Sequence, residues 1–170
     1  MADINKVRRI DREIKDFAEI LDVFRRAEVV RLGLNGDPYP YVVPLSFGYE
    51  ALSGGADGET PCVAVYVHGA PAGYKLDLMA RDNHVCVEAG ISHGYLRKGA
   101  GGASSITALY ESVIGYGTAE VVTGAEAKHG MDLMLEHCGH PDFEYDKADL
   151  DRAAVLKFTL TNVTGKRNLP

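Results

Sequence analysis

No stretch of this 170-residue chain is long and apolar enough to read as a membrane helix, which needs about 20 consecutive apolar residues. The opening segment, MADINKVRRIDREIK, lacks the apolar run of a secretion signal, so the expectation is a cytoplasmic protein. Cysteine is scarce: Cys62, Cys86 and Cys138 are odd in number, widely spaced and outside any CxxC pattern. That excludes a disulfide framework and a zinc site of paired cysteines, and leaves reduced, mostly buried thiols as the expectation. Positive charge is also in short supply, with 18 Lys and Arg against 24 Asp and Glu and a net charge of −6. An acidic chain has no general electrostatic warrant for nucleic acid, although Arg8, Arg9 and Arg12 form a local basic patch. No internal repeat and no linker interrupts the chain, which reads as a single domain over residues 1–170.

What is present is the composition of a folded soluble protein, 46% hydrophobic and 25% charged, far from the signature of disorder. DFAEILDVFRRA (16–27) sets Phe17, Ile20, Leu21 and Phe24 at helical spacing, with Asp16 as N-cap and Arg25 and Arg26 at the end that favours cations. GAEAKHGMDLMLEHCG (124–139) predicts a second helix with Ala127, Met131, Met134, Leu135 and Cys138 on one face. Thr123 and Glu126 stand at its start in capping-box spacing, and Gly139 ends it.

Six runs rich in Val, Ile, Tyr and Thr read as strands: 28–34, 39–50, 62–68, 84–90, 112–122 and 154–163. In the last, Leu156, Phe158 and Leu160 alternate with Lys157, Thr159 and Thr161, the pattern of a sheet with one buried face. NGDP and LSGGADGETP are hairpin signals, so neighbouring strands are expected to be antiparallel. Few helices intervene, which argues for a small antiparallel barrel or sandwich against a Rossmann sheet. SHGYLRKGAGGASSITA (92–108) shows no periodicity and reads as a long connection: a lid, a partner arm or a tolerated insertion.

YVHGAPAGYKLDLM (66–79) carries the chemistry. A strand ends at His68, glycines and a proline turn the chain, and Lys75 falls in the first turn of a helix running through Leu76 and Met79. A helix N-terminus offers unpaired N–H groups and partial positive charge, so a lysine there is unfavourable without an anion. A phosphate bound by the amides, Lys75 and His68 would repair this; a solvated lysine in a packing turn is the other reading. Tyr74 interrupts the Gly-Lys pair of a nucleotide-binding P-loop, which removes support for ATP chemistry.

Taken in order, RRIDREI, YPYVVPLSFGYE, YVHGAPAGYKLDLM, YESVIGYGTAEVV and LTNVTGKR resemble the nitroimidazole-resistance (Nim) flavoproteins. These belong to the pyridoxamine 5′-phosphate oxidase-like, FMN-binding split-barrel superfamily. The resemblance implies a mainly β fold with flanking helices, a six-stranded antiparallel split β-barrel. It also implies a homodimer with FMN in grooves between the subunits. Carried over by motif, His68, Gly69, Ala70 and Lys75 would surround the phosphate and ribityl chain. Ser112 and Val113 would contribute from the adjoining strand, and Val43, Pro44, Leu45, Ser46 and Phe47 would lie along the isoalloxazine. Without the family, Pro44 reads as an edge or bulge and Phe47 as core. A histidine at the place of His68 is associated with activity in the family, and such a group suits proton transfer. Lys166 and Arg167 match the family's C-terminal TGK and would reach a phosphate in the dimer, or stay solvated.

The resemblance implies an FMN-dependent oxidoreductase passing electrons from NADH, NADPH or another donor to a small, nitroaromatic type of acceptor. The alternative is a non-catalytic flavin- or haem-binding module of the same fold, with a deazaflavin as a variant cofactor. Pyridoxamine-phosphate oxidase activity proper is disfavoured, since no arginine-rich C-terminal segment offers a second phosphate site. His137, Cys138 and His140 in LEHCGH straddle a helix end without a fourth ligand and are not read as a metal site.

Overall fold

The computed structural model describes residues 6–54 and 61–170. In chain order the elements are β1 (Glu13–Ile14), α1 (Phe17–Arg26), β2 (Val30–Leu34), β3 (Tyr41–Leu45), β4 (Gly48–Leu52) and β5 (Cys62–Gly69). They continue with α2 (Tyr74–Arg81), β6 (His84–Arg97), β7 (Ile106–Val122), α3 (Gly124–His137), α4 (Lys147–Asp151) and β8 (Ala154–Asn168). Every strand pair is antiparallel, in the order β3-β2-β6-β7-β8-β5-β4, with β1 added beside β8.

The two edge strands of that order, β3 and β4, are consecutive in sequence and joined only by Ser46 and Phe47. Laid flat, the strands between them would hold the edges nearly 30 Å apart at about 4.8 Å per strand. The link from Leu45 to Gly48 reaches at most about 11 Å. The sheet must therefore curl until its edges meet, which makes a barrel whose β3–β4 seam has no hydrogen-bonded ladder. That is the split barrel expected from the sequence, with one correction. YPYVVPLSFGYE is two strands, parted where Phe47 turns into the core, so seven long strands and the short β1 replace the expected six. Pro44, which lacks a ladder donor, sits on the edge strand β3.

The second correction concerns residues 92–108. β6 continues to Arg97 and β7 begins at Ile106, with Tyr95 opposite Ala108 and Arg97 opposite Ile106. Only Lys98–Ser105 connects them, closing with a 3-10 turn at Ala103–Ser105. A bulge between Ser92 and Tyr95 breaks the alternation, and Tyr95 and Ile106 are exposed. The other face, with Leu96 opposite Thr107, is only half-buried, and with apolar Tyr95 and Ile106 on the exposed face the pair shows no inward apolar period.

Inside the barrel lie Val30, Leu32, Phe47, Val63, Val65, Val67, Leu156, Phe158 and Leu160, with Val23 and Phe24 supplied by α1. As expected for α1, Asp16 Oδ1 accepts from the Ala18 N–H at 2.9 Å, and Arg25 and Arg26 in the last turn pair with Asp22. α3 lies on the outer face of β4 and β5. Gly130 makes that approach possible: a Cβ there would stand 2.5 Å from Cδ1 of Tyr66, well inside contact distance. The expected capping box of α3 does not form. Thr123 makes no side-chain cap, and Glu126 instead holds Lys157, Nζ–Oε1 2.5 Å. Gly139 ends the helix as expected, its N–H bonding the Glu136 carbonyl and that of His140 the Leu135 carbonyl. Cys138, expected on the buried face, is exposed and Gly130 takes a buried place. Of the three thiols only Cys62 is buried.

α3 leaves uncovered the outer face of β3, β2, β6 and β7, where Val42 and Ile114 are exposed. No described helix is long and apolar enough to cross a membrane.

Candidate functional site

β5 delivers the first half of the site. Val63, Val65 and Val67 face the core and Ala64 and Tyr66 face α3, so His68 is the first side chain of the strand to emerge exposed. Gly69 follows, and the room left by its missing side chain is taken by lysine: a Cβ there would stand 3.0 Å from Lys75 Nζ. Gly73, at φ +133, caps α2, a conformation that L side chains rarely adopt. α2 then buries Leu78 and Met79 in the core. That anchoring folds Lys75, its second residue, back over the strand end.

Lys75 is half-buried and, among the described residues, has no hydrogen-bonded or ion-paired partner. Burial pushes its ammonium below the usual lysine range. An unpaired, partly desolvated cation at a helix N-terminus is an arrangement that an anion would complete. Lys75 thus stands over Gly69, with His68 and Ala70 beside it in the chain at the end of β5. Tyr74 packs edge-on against Tyr41, centroids 5.5 Å apart, which ties this corner to the start of β3.

Along β3 the predicted run divides by face. Pro44 and Ser46 are exposed, whereas Val43 and Leu45 pack against the core. Phe47, expected along a flavin ring, is fully buried, its ring 6.2 Å from Phe24 and 4.3 Å from His137. Strand alternation forces that split, so Phe47, Val43 and Leu45 offer a ligand backbone alone.

Ser112 and Val113 are elsewhere. β7 is separated from β5 by β8 and from β3 by β2 and β6, so it adjoins neither strand. Val113 faces inward and is fully buried, while Ser112 shares the outer face with Gly90 and Lys166, its cross-strand partners. Gly69 pairs with Ala154 and Ser112 with Lys166, near the two ends of β8, a path of roughly 40 Å of strand. Within one chain no single flavin mononucleotide spans both. Around Ser112 runs an open groove of about 420 Å³, lined by Arg31, Glu88, Gly90, Ser92 and Tyr110 among others. Arg31 Nη1 and Glu88 Oε2 pair across it at 2.9 Å. Of the TGKR residues, Lys166 stands on this outer face and Arg167 is held by Glu19, Nη2–Oε2 2.6 Å.

One charged network escaped the sequence reading. Glu111 is buried and accepts from Arg26 Nη1 at 2.7 Å, with His93 Nε2 at 3.0 Å. The Arg26 guanidinium holds the Glu111 carboxyl below the usual carboxylate range. Its one sequence signal is an acid inside the apolar run LYESVIGY; its partners are remote in the chain. It fastens α1 to β6 and β7. In LEHCGH, His137 is turned inward, where Nε2–H donates to the Ala27 carbonyl at 2.9 Å.

Comparison with known proteins supplies the remaining findings. A family model described as pyridoxamine 5′-phosphate oxidase matches residues 16–167. Among solved structures, a protein from Bacteroides thetaiotaomicron assigned to 5-nitroimidazole antibiotic resistance aligns with TM-score 0.73 and 26% identity over 91% of this chain and 85% of its own. The flavocytochrome Anf3 of Azotobacter vinelandii aligns with TM-score 0.76 and 16% identity, over 99% of this chain and 75% of its own. A FAD and haem binding protein of Mycobacterium smegmatis gives TM-score 0.71 and 14% identity, over 94% and 74%. No curated protein matches the sequence.

Proposed function

Since the chain belongs to the pyridoxamine 5′-phosphate oxidase family, we propose that it is a cytoplasmic flavoprotein. It binds FMN and passes electrons from NADH, NADPH or another donor to a small acceptor of the nitroaromatic kind. One observation carries the reading: Lys75, a half-buried cation without a partner among the described residues, set against Gly69 at the start of α2. The residues fit a phosphate, because the ammonium supplies a charge-assisted donor and the first turn of α2 supplies free N–H groups. Bound flavin supplies the one- and two-electron chemistry. The chain's own part is to hold the phosphate with Lys75, to leave the edge of β3 open at Pro44 and Ser46 for a flat ring, and to place the exposed His68 where it can hand over a proton.

Ser112 is too far along the sheet to join that corner in its own chain, so its predicted role requires a second copy. In a homodimer packed through the uncovered outer face, Ser112 and the Val113 backbone of one protomer would meet the FMN held by His68, Gly69, Ala70 and Lys75 of the other. The name of the 5-nitroimidazole resistance protein supports a nitroaromatic acceptor, and those of the flavocytochrome and the FAD and haem binding protein support a flavin ligand. The last two also favour a second reading, a flavin- or haem-holding module without turnover.

Purified protein tests this directly. The expected result is a yellow dimer whose flavin is bleached by NADH or NADPH under nitrogen and reoxidised by a nitroimidazole. A flavin that binds but accepts no electrons from either donor selects the holding module. A monomer that binds no flavin at all refutes both readings.

A further inference from the structure

We propose that Asp82, at the far end of α2, is a positioning residue for the phosphate corner: its carboxylate locks the helix to the β2–β3 hairpin and so fixes where Lys75 stands. The inference rests on the phosphate reading of Lys75. A helix is positive at its N-terminus and negative at its C-terminus, and α2 carries two charges against that order. Asp77 in the first turn and Arg81 in the last stand the favourable way, whereas Lys75 in the first turn and Asp82 at the C-cap stand the unfavourable way. The fold treats these two differently. Lys75 has no partner among the described residues, but Asp82 uses both carboxylate oxygens. Oδ2 accepts from Asn35 Nδ2 at 2.8 Å, and Oδ1 accepts from the His84 N–H at 3.0 Å and lies 2.7 Å from His84 Nδ1. Asn35 first and then His84 hold the carboxyl down to about 2, so it is ionised throughout the neutral range.

Those contacts reach two other elements. Asn35 follows β2 in the turn to β3, and His84 opens β6, so one carboxylate ties the end of α2 to both. At the opposite tip Tyr74 packs edge-on against Tyr41, the first residue of β3, with centroids 5.5 Å apart. Leu34 and Tyr41 are cross-strand partners, so α2 lies across the turn end of the hairpin and is held there at both tips. Between the tips the buried side chains of the helix are Leu78 and Met79. A two-turn helix pivoting on them swings its ends in opposite directions, and the Asp82 contacts are what stop it. Lys75 and Asp82 stand about 10 Å apart along the axis at 1.5 Å per residue. Asp82 therefore acts on the phosphate site through the helix, not by touching the ligand.

The test uses flavin-free protein and its complexes with FMN and riboflavin. Without flavin, Asp82→Ala and Asn35→Ala should speed hydrogen exchange of the α2 amides. Asp82→Asn keeps an acceptor for the His84 N–H and an amide able to pair with Asn35, so its exchange should stay close to wild type. Asp82→Ala should weaken FMN binding about 3- to 10-fold and leave riboflavin binding unchanged, whereas a merely structural role would lower both alike. In a Lys75→Met background Asp82→Ala should cause no further loss of FMN affinity, because the two residues act as one unit. Unchanged α2 exchange or unchanged FMN affinity in Asp82→Ala overturns the positioning role, as does an equal loss for riboflavin or a full Asp82 effect in the Lys75→Met protein. A Lys75→Met protein that holds FMN as tightly as wild type overturns the phosphate reading itself, and the positioning role with it.

Discussion

Replacing Lys75 by methionine should make the free protein no less stable and its FMN complex much weaker, two effects of opposite sign from one substitution. The ammonium is half-buried, unpaired among the described residues and held below the usual lysine range by burial. Its charge is therefore a cost to the folded chain, while the methylene stem packs at the strand end, and methionine keeps that stem. Unfolding stability should be unchanged or raised by up to about 1 kcal/mol. A charge-assisted hydrogen bond to phosphate is worth about 1.5 to 3 kcal/mol, so FMN affinity should fall roughly 10- to 150-fold. Riboflavin, which lacks the phosphate, should be held equally by both proteins. The pH dependence follows the same logic. A lysine whose folded pKa lies below its unfolded value of 10.5 binds fewer protons folded than unfolded in that interval, so the wild type gains stability as pH rises through it, and Lys75→Met loses that gain. Urea unfolding and quenching of flavin fluorescence measure the two quantities. An unchanged FMN affinity in the variant would refute the phosphate assignment. A loss of more than about 1 kcal/mol of stability would show that the ammonium has a partner in the folded chain.

Two further outcomes test the frame around the site. Gly130→Ala places a methyl 2.5 Å from the fully buried Tyr66 ring, so α3 must lift from β5 at a cost of about 1 to 3 kcal/mol; a urea midpoint within error of wild type would contradict the packing described. Glu111→Gln should destabilise by about 2 to 3 kcal/mol at neutral pH, because the buried carboxylate that Arg26 and His93 share is lost. The folded carboxyl titrates below the ordinary glutamate value of 4.5, so its contribution is full above that value and fades as pH falls through the folded pKa. The gap between wild type and variant should close in acid, and a gap independent of pH would remove Glu111 from the ion-pair network.

How far sequence reading reaches depends on where the decisive contacts lie in the chain. The α1 cap at Asp16, the alternation of Leu156, Phe158 and Leu160, and the Gly73–Lys75 turn are local arrangements, dictated by side-chain period, backbone freedom and the unpaired ends of helices. Those were readable from residue order alone. The motif of residues 66–79 brought His68, Gly69 and Lys75 to one corner for the same reason, since a strand, a glycine turn and a helix leave little choice. The β6–β7 extension was invisible because apolar Tyr95 and Ile106 stand on its exposed face while the other face is only half-buried, so its apolar residues do not alternate inward.

Residue order by itself determined a mainly antiparallel sheet, its two principal helices and a cation waiting at a strand end, because each follows from interactions spanning only a few residues. Tertiary structure decided that β3 and β4 close the barrel without a ladder, that Phe47 belongs to the core, and that Ser112 lies near the far end of β8 from Lys75. It also brought Lys166 over the Tyr110 ring, 5.7 Å from its centroid. The physical reason is curvature. The rolling of the sheet sets which distant residues meet, and that depends on how the whole buried face packs.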